Sequence, residues 1–196
     1  MQNPSAATIV LASSSVYRQH LLDRLLDNYE TVSPAVDETA AIDDPKELAA
    51  YLARKKAEAV SSGYREALVI GADQLAVLDG QVLGKPGDHQ KAVEQLLQAS
   101  GKSVQFLTAV CVLDTIGRRR YEHVDSTVVR FRSFDRRLAD AYLKHDEPYD
   151  CAGSFKIEGA GFVLFESVTT NDPTALVGLP MIWLSGRLLE LGYLIP

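Results

Sequence analysis

Apolar residues fall in short blocks along this chain, and the spacing within each block predicts an element. Thr8–Ala12 (TIVLA) is a continuous, β-branched run of the kind that forms a buried strand. Ser13, Ser14 and Ser15 follow, and then Leu21, Leu22, Leu25 and Leu26 recur at helical spacing. Serine is a good helix cap, so the chain opens as strand, serine turn and helix. Tyr29–Ser33 reads as a second strand stopped by Pro34, and Val36–Thr39 as a loop. Asp44-Pro45 starts a long helix running to Ser61, with Asp44 as its cap, Pro45 in its first turn and Gly63 closing it.

Ala67–Ala72 (ALVIGA) predicts a buried strand that ends at Asp73. Ala76–Leu78 and Gln81–Leu83 flank Asp79-Gly80, a strong two-residue hairpin signal. Lys85-Pro86-Gly87 precedes a helix over His89–Ala99. Val104–Leu113 and Tyr121–Phe131 read as long strands joined by a turn near Gly117, and Phe134–His145 as a helix. Cys151–Gly161 carries several glycines and reads as a loop, followed by a strand over Gly161–Val168. Asp172-Pro173 and Gly178-Leu179-Pro180 surround a last loop before a closing helix, Met181–Leu191. Strands alternating with helices predict an α/β fold, and the hairpin makes its sheet mixed.

Composition narrows this picture. The 196 residues suit one domain, or one domain with two lobes, spanning 1–196. With 46% hydrophobic and 23% charged residues the chain has the make-up of an ordinary folded globule. A formal charge of −6 argues against broad binding to nucleic acid or anionic membrane, while leaving room for a small basic pocket. The two cysteines, Cys111 and Cys151, form no CxxC and are too few for a secreted disulfide scaffold, so a cytoplasmic setting is the default. Met1–Ala7 shows no leader pattern, and no apolar run approaches the ~20 residues of a membrane span.

Four groups of residues could carry chemistry. Ser13, Ser15 and Arg18 sit at the strand-to-helix turn, where hydroxyls, backbone N–H groups and a guanidinium suit an anion. Asp73 follows a buried strand, and Glu38 lies on a loop. Two such carboxylates could hold Mg²⁺ while substrate phosphates complete its shell, or one could activate water. Lys56, in the string LARKKA, and Lys85, in GKP, could each neutralise a triphosphate. The glycines around Cys151–Gly159 (CAGSFKIEG) allow backbone to approach a ligand closely, and Cys151 reads as a buried structural thiol rather than a nucleophile. The G-x-G-x-x-G and P-loop patterns are missing, and the four histidines have no zinc spacing.

These pieces occur in one order that resembles the Maf family from Ile9 to about Leu191. The matching strings are LASSSxxR (Leu11–Arg18), VDE (Val36–Glu38), LAxxKA (Leu52–Ala57), GADQ (Gly71–Gln74), GKP (Gly84–Pro86) and DPxxLVGLP (Asp172–Pro180). The resemblance implies a Maf/ITPase-like α/β fold, with a mixed twisted sheet flanked by helices and a central nucleotide cleft. It implies hydrolysis of a nucleoside triphosphate between the α and β phosphates, with a divalent cation, Mg²⁺ or Mn²⁺. By position, Asp73 matches the family's proton acceptor. Ser13, Arg18, Glu38, Lys56 and Lys85 match residues implicated in phosphate or metal binding, with Ser15 beside them and Asp73 and Glu38 as the metal pair. Val16 departs from the proline of the family's S-x-P-x-R string, which loosens the turn without removing a ligand. A homodimer is carried by the resemblance alone.

Within the family, CAGSFKIEG is similar to the branch that hydrolyses 7-methyl-GTP rather than to the A-G-x-Y-x-I-Q-G loop of members acting on dTTP and UTP. Tyr17, Gln74 and Glu158 fall on the positions associated with substrate choice. The chemistry agrees: a carboxylate at Glu158 can accept the N1–H and N2–H of guanine, whereas it would meet carbonyl acceptors on a thymine or uracil edge. N7-methylation gives the base a positive charge, and an aromatic face such as Tyr17 attracts it by about 0.5–2 kcal/mol. The alternatives are a dTTP/UTP or ITP pyrophosphatase, and a nucleotide-binding regulator of cell division with little catalysis, since the family name is tied to septum inhibition. The intact Asp73, Lys85 and Glu38 set favours the enzyme.

Overall fold

The expected elements assemble around one mixed sheet in the computed structural model, which describes residues 7–196. All but the last residue of the Met1–Ala7 segment, expected to lack a leader, lies outside them. The strands are β1 (Thr8–Ala12), β2 (Glu30–Val32), β3 (Ala67–Leu78), β4 (Gln81–Leu83), β5 (Ser103–Asp114), β6 (Arg119–Phe131) and β7 (Phe165–Thr169). The helices are α1 (Val16–Leu22), α2 (Pro45–Ser61), α3 (His89–Ala99), α4 (Arg136–Asp146) and α5 (Met181–Glu190). The strand order is β2-β1-β3-β5-β6-β7, with β4 also paired to β3. β1 lies parallel to β2 and β3, and the pairs β3–β4, β3–β5, β5–β6 and β6–β7 are antiparallel. No helix among the described residues is long and apolar enough to cross a membrane.

Side chains alternate across the sheet and sort the core into layers. Odd positions of β3 and β5, including Val69, Val77, Ala109 and Cys111, pack against Ala49, Ala53, Ala57 and Val60 of α2. Even positions, including Leu68, Ile70, Val110 and Val112, meet Leu184 and Leu188 of α5 on the other face. Further along that face, Ala76 and Phe106 join Leu96 of α3 and Leu143 of α4 around an aromatic group of Phe131, Phe155 and Phe165. Because β3 and β5 are covered on both faces, they read as continuous apolar runs rather than alternating ones.

The structure corrects several boundaries. Ala67–Ala72 and Ala76–Leu78 are one strand, and Asp73 lies inside it rather than after its end. What ends there is the neighbour: β1 leaves β3 at the Ala12↔Gly71 pair, and β4 joins only at Ala76. Asp73, Gln74 and Leu75 therefore keep β5 on one side and a gap on the other. The first helix stops at Leu22, and Leu25 and Leu26 follow in tight turns that return N–H groups to the Leu22 carbonyl. The strand expected over Gly161–Val168 starts only at Phe165, because Gly161 turns back to donate to the Lys156 carbonyl. The hairpin at Asp79-Gly80 forms as expected, with both residues at positive φ.

Gly71 sets how closely α2 approaches the sheet. A Cβ there would lie 2.3 Å from the Ala53 carbonyl oxygen and 2.6 Å from the Ala57 nitrogen, both rigid helix backbone. The Gly71→Ala variant is therefore expected to lose about 3 kcal/mol of stability, the upper part of the overpacking range. Its soluble fraction should also be less active than wild type, since α2 carries Lys56. Denaturant unfolding and turnover per folded molecule check both, and wild-type values would refute the close-docking account.

Candidate functional site

The gap beside Asp73 opens into a cleft of about 350 Å³ lined by Ser13, Ser15, Tyr17, Arg18, Glu38, Lys56, Gln74, Lys85 and Glu158, among others. Of the expected site residues only Asp73 is set back from its wall. It is buried and reaches the cleft through Lys56.

At one end the groups are cationic or hydroxylic. The first serine of the triplet, Ser13, is buried, and its Oγ accepts from the Ser15 N–H at 3.1 Å and from Arg18 at 3.3 Å. Ser15 caps α1 by accepting the Arg18 N–H. Both hydroxyls thus act as acceptors within the protein and keep their O–H for a ligand. The helix has only seven residues, so its dipole is small and anion attraction rests mainly on Arg18 and the hydroxyls. Burial lowers the guanidinium's pKa, opposed by the charges of Asp73 and Glu38. Arginine stays protonated regardless. Arg18 is aimed by its Nε, which donates to the Gly178 carbonyl at 3.0 Å. Lys85 is exposed at the same end and lies within the field of Glu38.

The centre of the site is a three-membered ion cluster. Lys56 Nζ lies 2.6 Å from Asp73 Oδ1 and 2.8 Å from Glu38 Oε1. Asp73 and Lys56 are both buried, whereas Glu38 is mostly exposed. Burial raises the pKa of Asp73 against the pull of Lys56 and Arg18. Burial pushes Glu38 the same way, but Lys56, Lys85 and Arg18 together bring it below its ordinary value. Among the described residues, Asp73 Oδ2 has no hydrogen-bond partner. No group of three or more His, Cys, Asp or Glu among the described residues is arranged to hold a metal. Two hard carboxylates with one unpartnered buried oxygen suit a divalent cation whose remaining ligands come from elsewhere.

Gln74, next to Asp73, points to the opposite face of the strand. Its Nε2 donates to Thr108 Oγ1 and to the carbonyls of Ala175 and Leu176, at 2.9–3.1 Å. Carbonyls can only accept, so they orient the amide and leave Oε1 as the atom offered to the cleft. This gives the DPxxLVGLP string a physical meaning that its composition did not reveal. Asp172 is buried and accepts from the N–H groups of Thr174 and Ile182. The folded loop then presents Ala175 and Leu176 to Gln74, and Gly178 to Arg18.

At the far end, Tyr17 on α1 faces the loop that carries Cys151, Lys156 and Glu158. Glu158 is exposed at the rim, and partial desolvation raises its pKa. Cys151 is only half-buried and lines the cleft, contrary to the expected buried thiol. Burial and the charge of Asp150 push its thiol up to about 12, so it is protonated at neutral pH and a poor nucleophile. Lys156 was not singled out by sequence reasoning. Its only signal was its position inside CAGSFKIEG, two residues before Glu158.

The fold and cleft define an α/β protein with a cationic, hydroxyl-lined end, a buried carboxylate and an aromatic, acidic opposite end. The Maf-like protein family matches residues 8–191, and the chain belongs to that family. It is 49% identical over 187 residues to the 7-methyl-GTP pyrophosphatase of Ralstonia nicotianae, covering 94% of this chain and 96% of that one. The same-named protein of Pseudomonas aeruginosa is 47% identical over 189 residues, covering 96% and 98%. That of Cupriavidus metallidurans is 45% identical over 195 residues, covering 98% of both. Among solved structures, the Staphylococcus aureus Ham1 protein is similar at 16% identity and a TM-score of 0.47, covering 79% of this chain and 89% of that one.

Removing Lys56 leaves Asp73 buried without its closest counter-charge. Lys56→Met is expected to cost about 3–5 kcal/mol near neutral pH, as for a broken buried pair. The sign with pH follows from the raised Asp73 pKa. A raised carboxylate pKa favours the protonated form in the folded state, so the loss is small at low pH and grows as pH rises through that pKa. Unfolding curves at two pH values check this, and an equal loss at both would refute it.

Proposed function

We propose that this protein hydrolyses a nucleoside triphosphate, 7-methyl-GTP, to 7-methyl-GMP and pyrophosphate, removing a modified nucleotide from the pool. The observation that carries the reading is the unpartnered Asp73 Oδ2, buried beside two cations, Lys56 and Arg18, that themselves line a cleft whose ends differ in charge. The names of the similar proteins support the same substrate.

Arg18, Lys56 and Lys85, with the hydroxyls of Ser13 and Ser15, hold the polyphosphate at the cationic end and stabilise charge on the departing pyrophosphate. Lys56 answers to two partners. A polyphosphate competes with Asp73 and Glu38 for its ammonium, and as Lys56 turns to the phosphate both carboxylates open to the cleft. Asp73 then accepts a proton from water at Oδ2, a role its raised pKa favours. Glu38 and Asp73 would hold a divalent cation, Mg²⁺ or Mn²⁺, which when bound supplies Lewis-acid neutralisation of phosphate oxygens.

The base lies at the other end. Tyr17 offers an aromatic face, worth about 0.5–2 kcal/mol to a cationic ring. Glu158 accepts from the guanine N1–H and N2–H, and Gln74 Oε1 adds a second acceptor. Pyrimidine edges, with carbonyls on both sides of one N–H, meet like partners there.

A single pyrophosphate-release assay over a nucleotide panel tests the reading, run with wild type and Asp73→Asn, each with and without EDTA. Wild type is expected to prefer 7-methyl-GTP to dTTP and UTP and to lose turnover in EDTA. Asp73→Asn is expected to lower kcat by about 10²-fold or more. Near-normal turnover of that variant removes Asp73 from the chemistry, and a preference for dTTP or UTP removes the base assignment.

A further inference from the structure

Among the described residues lining the cleft, Lys156 is the cation that phosphate binding does not use. Its backbone is fixed: the Lys156 N–H donates to the Tyr142 hydroxyl at 2.8 Å, next to the buried Phe155. Its ammonium donates to the Asp146 carbonyl, at the last residue of α4, at 3.0 Å, and lies 5.9 Å from the centre of the Tyr17 ring. Asp146 also steadies the chain beyond Glu158, since its Oδ2 accepts the Ala160 N–H at 2.8 Å. A Cβ on Gly159 would crowd that oxygen, so a larger residue there would displace the Asp146 carboxylate. One anchor therefore fixes both flanks of Glu158, and Lys156 and Glu158 are presented to the cleft together.

An ammonium has three donors. The Asp146 carbonyl takes one, and Tyr17 can engage a second through its ring or hydroxyl. One donor is left for the cleft. The same cleft is lined by two acceptors, the Glu158 carboxylate, which lies within the field of Lys156, and Gln74. Donor next to acceptors complements the guanine edge, which presents the C6 carbonyl as acceptor and then N1–H and N2–H as donors. A 6-amino purine would direct an N–H at the ammonium instead.

We propose that Lys156 is a specificity-determining residue whose ammonium reads the 6-oxo group of the purine while Glu158 reads the adjoining N–H groups. This rests on the proposed nucleotide substrate and extends it. A cationic base is still accommodated, because Glu158 and Asp150 bring two negative charges to this end against the single positive charge of Lys156.

The test compares two triphosphates that differ only at C6, GTP and its 2,6-diaminopurine counterpart. kcat and KM are measured for wild type, Lys156→Met and Lys156→Arg. Where turnover of the pair is too slow, each compound's inhibition of 7-methyl-GTP hydrolysis is read instead. Wild type is expected to favour the 6-oxo compound. Lys156→Met is expected to reduce that preference about tenfold or more, through KM rather than kcat, and Lys156→Arg to retain most of it. Thermal melting of the variants confirms that they fold, and Lys156→Ala, expected to lose the preference likewise, carries the comparison if the methionine variant does not. A 6-oxo preference unchanged in Lys156→Met, or an equal loss on both compounds, overturns the inference. So does a wild-type enzyme without 6-oxo preference, even if it hydrolyses 7-methyl-GTP and the broader functional reading stands.

Discussion

The ammonium of Lys56, held between Asp73 and Glu38, is the contact on which the rest of this site depends. A buried charge is tolerated only when well paired, and here each partner makes the other's position possible. The two buried members come from different elements, the long helix α2 and the central strand β3. They meet only if the helix docks low on the sheet, which the alanine stripe Ala49, Ala53, Ala57 and the bare backbone of Gly71 allow. Packing and chemistry are therefore one constraint: the helix height that fills the core also brings Nζ to 2.6 Å from Oδ1.

From that centre the cleft runs in two directions with opposite electrical character. Arg18 and Lys85 lie towards one end, and Glu158 and Asp150 towards the other. A chain with a net charge of −6 thus keeps a local cationic pocket. The opposite end retains an acidic, aromatic surface suited to a positively charged ring. Such a layout orients a ligand before any close contact forms, since reversing it would put like charges together at both ends. The Asp172–Pro180 loop serves both halves, with one carbonyl on Arg18 and two on Gln74.

Much of this was legible in the sequence, for local reasons. Capping residues such as Asp44, the Asp79-Gly80 turn and the apolar runs of β1 and β5 act over a few positions, and their elements appear close to where they were expected. Short strings and a resemblance pick out the candidate residues, and in the fold they border one cleft, Asp73 through Lys56. What could not be read was set by contacts distant in the chain. Nothing near Gln74 says that two carbonyls a hundred positions away orient its amide. A lysine in a glycine-bearing loop, such as Lys156, looks solvated until Asp146 and Tyr17 are brought to it. The strand expected at Gly161 failed for a related reason: apolar content suggested extension, while the Lys156 carbonyl drew the glycine into a turn.

The misplacement of Asp73 is the most instructive of these differences. A polar residue after an apolar run looks like a strand end, because a strand buried on both faces has no room for an unpaired charge. Here the strand continues, Asp73 stays in register with Ala109 of β5, and its neighbour β1 departs instead. A carboxylate on a loop would share the loop's mobility. One inside a central strand is held by the sheet, and the gap between β1 and β4 provides the opening that a loop would otherwise have supplied. The carboxylate is thus held rigidly next to that opening, which it reaches through Lys56. The charge burial this requires is compensated by Lys56, whose own attachment to the solvent-facing Glu38 ties the buried pair to the cleft.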